Sequence, residues 1–63
     1  MPADDSHDVY FEFIAIGATV KVTAIDALTG TEVSVAGPAS AAQADLERVA
    51  LQKLKARLAR EGR

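Results

Sequence analysis

From Val9 to Ile16 the chain reads VYFEFIAI, a run of aromatic and β-branched residues without Gly or Pro, and this predicts a strand. Gly17-Ala18 follows. Gly in the first place of a two-residue loop suits a type II′ turn, which returns the chain through Thr19 to Asp26 (TVKVTAID). So short a loop sets the register: Ile16 faces Thr19, Phe13 faces Val22 and Phe11 faces Ala24. Period-two alternation then sorts the hairpin into two faces. One collects Val9, Phe11, Phe13, Ala15, Val20, Val22 and Ala24, all apolar, and is the expected core side. The other collects Tyr10, Glu12, Ile14, Ile16, Thr19, Lys21, Thr23 and Ile25, a mixture of apolar, polar and charged groups.

Asp26 to Gly30 (DALTG) has the composition of a turn, with Asp to hold backbone amides at its start and Gly to take a left-handed conformation at its end. Residues 31–36 (TEVSVA) alternate again as a third strand. A four-residue loop brings Val33 to Ala24 and Val35 to Val22, whereas a three-residue loop would send both valines to the other face. The first register is preferred because it gathers apolar side chains. Gly37-Pro38 is expected to stop the strand, Pro having no amide to donate.

Ser40 with Gln43 three positions on has the form of a capping box, and from Ala41 to about Glu61 nearly every residue is a strong helix former. Gly62 stands where a C-terminal cap belongs, and basic residues crowd the end that the helix dipole favours. At 100° per residue Ala42, Leu46, Val49 and Ala50 form one stripe, and Leu51, Leu54 and Leu58 a second. Together they span about 200°, against the roughly 100° that one sheet needs, so apolar surface is left over. The expected fold is α+β: a three-stranded antiparallel meander (about 9–16, 19–26 and 31–36) packed on one C-terminal helix (about 41–61). Residues 1–8 are expected to form a flexible acidic tail and residues 9–63 a single βββα domain.

Sixty-three residues bury too little surface to be very stable alone, since ordering costs about 1.5 kcal/mol per residue. Small domains compensate with disulfides, a metal or a second copy of themselves. Cysteine is absent, which removes disulfides and thiolate metal sites. Self-association is therefore the expected device.

The chain offers little to catalysis. His7 is the sole histidine and sits in the acidic tail; Ser6, Ser34 and Ser40 have no base placed to take a proton. Asp4, Asp5 and Asp8 lack the Gly-containing loop of a calcium site, and no Gly-rich phosphate loop occurs. No enzyme activity, metal or cofactor is expected. Glu12 and Lys21, diagonal neighbours across the hairpin, are expected to form a weak surface ion pair.

Net charge is −2, with acidic residues gathered early and Arg48, Lys53, Lys55, Arg57, Arg60 and Arg63 gathered late. Lys21 with Lys53, Lys55, Arg57 and Arg60 could touch nucleic acid, but these cations lie all round the helix rather than along one stripe, so this is the lesser expectation. No apolar run spans a membrane and the N-terminus is acidic where a signal peptide is basic, so a cytoplasmic protein is expected.

The first strand carries the strongest functional signal. In a meander it lies at an edge, yet it has no Pro, no Lys and one charge, where natural edges are usually guarded. Tyr10, Glu12, Ile14, Ile16 and Ile25 on the sheet, and Leu51 and Leu58 on the helix flank, are the expected contact residues. The function this implies is a non-enzymatic protein-interaction module whose partner is itself, as a homodimer, or a larger protein.

The pattern YFEF, VKVTAID, TGTEV, GP and a terminal helix with A-L-x-K-L, covering Val9 to Leu58, resembles that of short uncharacterised proteins from alphaproteobacteria. The resemblance implies a bacterial cytoplasmic protein with no assigned activity and no catalytic residues to carry over.

Overall fold

The computed structural model describes residues 8–61. They form β1 (Val9–Ile16), β2 (Thr19–Asp26), β3 (Glu32–Pro38) and α1 (Gln43–Glu61), with the strands in the antiparallel order β1-β2-β3. This is the expected α+β meander. The acidic tail apart from Asp8, His7, the proposed cap Gly62 and Arg63 lie outside the described residues.

Both registers are those the turns imply. Phe11 faces Ala24 and Phe13 faces Val22, while Val33 faces Ala24 and Val35 faces Val22. At the first turn Gly17 has φ +60° and Ala18 stays at negative φ, the type II′ combination. At the second, Asp26 N–H donates to Thr31 O (2.9 Å), Gly30 N–H donates to Asp26 O (2.8 Å), and Gly30 holds φ +79°. Gly30→Ala places a side chain in that left-handed region and is expected to destabilise the domain by about 1 kcal/mol, read as a melting temperature lowered by about 4–8 °C.

Three boundaries differ from expectation. β3 starts at Glu32 rather than residue 31 and runs through Gly37-Pro38, which face Val20 and Thr19. Proline is tolerated there because of direction: Thr31 and Ala39 bond toward β2, through Asp26 N–H to Thr31 O and Ala39 N–H to Ala18 O, so the alternation turns the Pro38 nitrogen outward. The helix begins at Gln43 rather than Ala41. Ala42 O accepts the first bonds of the helix, from the Asp45 and Leu46 amides, while Ala41 N–H donates to Pro38 O (2.9 Å). Ser40 is thus spent inside a turn. Among the described residues no hydrogen bond joins it to Gln43, and the capping box does not form.

The apolar face of the sheet meets the helix as expected. Val22, Ala24, Val33, Ala50 and Leu54 are buried, with Val9, Phe11, Phe13, Val20, Val35, Leu46 and Leu58 half-buried against them. The two expected helix stripes are in fact one, Leu46-Ala50-Leu54-Leu58 at i+4 spacing, which leaves Ala42 exposed and Val49 48% exposed.

The helix sits to one side. It packs on β2 and β3, because only residues 39–42 separate β3 from α1 and the helix must start above the strand it has just left. Gly37 allows the close approach, since a Cβ there would stand 2.5 Å from Leu46 Cδ2. The consequence falls on β1: Val9, Phe11 and Phe13 are only half covered, and Ala15, on the core face, is exposed.

Candidate interaction edge

The two outer strands end in different states. Asp8 O accepts from Ala27 N–H (3.0 Å) directly opposite it, and the antiparallel alternation then assigns the β2-facing backbone groups to Tyr10, Glu12, Ile14 and Ile16. The N–H and C=O groups of Val9, Phe11, Phe13 and Ala15 point outward, and no described element pairs with them.

On β3 the outward set is Glu32, Ser34, Ala36 and Pro38. Lys53 Nζ reaches from the helix to donate to Ser34 O (2.8 Å). Pro38 has no N–H, and its carbonyl is taken by Ala41. A lysine, a proline and a turn therefore guard part of the β3 edge, and they are devices natural sheets use against unwanted pairing. β1 has none of them.

Lys53 also orients the helix. Its bond to Ser34 fixes one flank toward β3; Leu58, at the far margin of the core stripe, and Leu51, just beyond it, stand about 140° and 160° round the axis on the flank toward β1. Leu58 is half-buried and packs against the core, whereas Leu51 is half-buried outside that cluster. Below this flank, toward the turn end of β1, lies a groove of about 430 Å³ lined by Phe13, Ala15, Val20, Ala39, Ala41 and Leu46, with Gln43 its one polar residue.

The opposite face of the sheet holds the other expected contact residues. Tyr10, Ile14 and Ile16 are 58%, 45% and 60% exposed, and Tyr10 faces the half-buried Ile25. Thr23 and Ser34 join this face by a hydroxyl bond of 2.9 Å. Glu12 and Lys21 are both exposed, and among the described residues they form no ion pair, contrary to expectation. The sheet and helix contact residues therefore lie on opposite sides of the sheet, and the open edge of β1 is what they share.

The basic residues do not converge. Lys53 is held at Ser34 O and Arg57 at Glu61 (2.7 Å), while Lys55 and Arg60 are exposed elsewhere on the helix and Lys21 lies across the sheet. Among the described residues no group of three or more His, Cys, Asp or Glu side chains could hold a metal, and no helix is long and apolar enough to cross a membrane. Sequence reading missed the groove and the closure of β3. Pro38 and the short link between β3 and α1 are the sequence signals for them.

Among the described residues these features define a small α+β domain with one partly guarded and one unguarded sheet edge. Residues 6–61 match the family described as Domain of unknown function (DUF6898), and the chain belongs to that family. No curated protein and no solved structure matches it.

Proposed function

We propose that this chain is a non-enzymatic interaction module of the bacterial cytoplasm that works by strand addition at β1, with self-association as its main mode. One contrast carries the reading: the β3 edge is partly guarded by Lys53, Pro38 and Ala41, while among the described residues nothing pairs with the outward backbone groups of β1, which lie beside half-covered aromatic side chains. Edge pairing would supply main-chain hydrogen bonds, and Phe11, Phe13 and Leu51 would supply burial. A chain this small also gains stability from a second copy. The nucleic-acid alternative, through Lys21 and the basic helix end, is weaker because Lys53 and Arg57 are already engaged within the chain.

Sedimentation equilibrium at tens of micromolar tests the proposal. The intact chain is expected at twice its 6.6 kDa monomer mass. Ala15→Pro removes an outward N–H that no described element uses, so it is expected to return the protein to monomer with its circular dichroism intact. A wild-type chain that stays at 6.6 kDa would overturn self-association.

A further inference from the structure

We infer that the occupant of the β1 edge is a second copy of this chain, paired antiparallel about Phe13, with Phe11 of each copy seated over Ala15 of the other. The inference rests on the self-pairing proposed above and adds its register. Only Val9, Phe11, Phe13 and Ala15 can exchange hydrogen bonds outward. A symmetric pair must match these with one another, so the twofold axis passes through residue 12, 13 or 14 if most of the strand is to be used.

Charge and length separate the three. Centred on residue 12, the two Glu12 carboxylates stand directly opposite in a close, non-hydrogen-bonded pair with Cα atoms about 4.5 Å apart, which is repulsive. Centred on residue 14, Phe11 runs past the strand onto Gly17 and only residues 12–16 overlap. Centred on Phe13, residues 10–16 overlap and the two Glu12 are apart. Each Glu12 then faces Ile14 of the second copy, and Ile14 is flanked by its own hairpin partner Lys21. Glu12 of one copy and Lys21 of the other thus stand two strands apart, about 9.6 Å between backbones, a span their side chains can close. Glu12 and Lys21, which form no ion pair within one chain among the described residues, become complementary across the pair.

The core side of the sheet agrees. Phe11 projects there, and in this register it would face Ala15 of the second copy, the smallest side chain of β1's core face, which lies in the groove walled by Phe13, Val20 and Leu46. Phe11 of the second copy fits into the space that Ala15 leaves. A twofold perpendicular to the sheet also keeps both helices on one face of a continuous six-stranded sheet.

The native chain contains no cysteine, so disulfide trapping has a clean background. Glu12→Cys and Ile14→Cys, both at exposed positions, are mixed under mild oxidation and resolved without reductant; non-hydrogen-bonded neighbours lie within disulfide reach. The expected result is cross-linked dimer in the mixture and in neither variant alone. Cross-linking by Glu12→Cys alone, or by Ile14→Cys alone, would overturn this register in favour of a twofold at that residue. No cross-link while sedimentation still shows a dimer overturns the register and leaves self-association standing; a monomer removes both. Ala15→Phe fills the groove from within its own chain and is expected to raise the dimer dissociation constant about tenfold or more with the monomer still folded. An unchanged constant would remove the seating of Phe11.

Discussion

Leu54→Ala is expected to leave the chain largely unfolded at room temperature. Leu54 is the largest of the fully buried side chains, and two of the other four core residues, Ala24 and Ala50, are too small to close over a vacancy. Leu→Ala at such a site costs about 2–5 kcal/mol. A single core in a domain under roughly 70 residues rarely supplies more than about 3–5 kcal/mol in total, so the loss matches the whole of the stability. Far-UV circular dichroism with urea titration reads the outcome. Val49→Ala, on the same helix but 48% exposed, is expected to shift the urea midpoint little. Equal effects from the two variants would mean that the stripe facing the sheet has been misassigned.

The second large effect is expected at Asp26, which ends β2 and is completely buried. Its Oδ2 accepts from the Thr29 amide (2.9 Å) and the Thr29 hydroxyl (2.7 Å), and its own backbone bonds Gly30 and Thr31. The Thr29 hydroxyl in turn accepts from the Thr31 amide (3.2 Å). One carboxyl group therefore organises the whole link between β2 and β3. Asp26→Ala removes the acceptor and leaves two donors of a part-buried turn without it, at an expected cost of about 1–3 kcal/mol. Asp26→Asn keeps an oxygen in place and is expected to lose less. A urea midpoint that falls for alanine and recovers in part for asparagine is the expected result; identical midpoints for all three proteins would show that the turn does not depend on this side chain.

These two residues mark how differently parts of the molecule were legible. The turns were readable because their chemistry is local: Gly17 and Gly30 both adopt the positive φ their places demand, and each loop length then fixes which side chains meet. The sorting of Phe11, Phe13, Val22 and Val33 onto one face followed from period two alone. The helix start was misread because Ser40 competes for two roles, and the turn closed by Ala41 and Pro38 takes it before the helix can. The lateral position of the helix was not visible in its periodicity, which says which stripe turns inward but not which strands it covers. That position follows from the short link after β3, with Gly37 leaving room for the Leu46 side chain, and it is what leaves Phe13 half covered and Ala15 bare. Of the expected contact residues on the sheet, Tyr10, Glu12, Ile14 and Ile16 are exposed and Ile25 is half-buried, but the feature that joins them, an unguarded strand edge opposite a partly guarded one, needs the hydrogen bonds of β3 to be seen.

The bond from Lys53 to Ser34, with Pro38 further along the same strand, has a consequence for how large any assembly can grow. A sheet able to recruit neighbours on both sides propagates without limit, toward filaments and precipitation. With one side partly obstructed from within, strand addition at the other side would limit growth, because each added copy would present its more guarded margin outward.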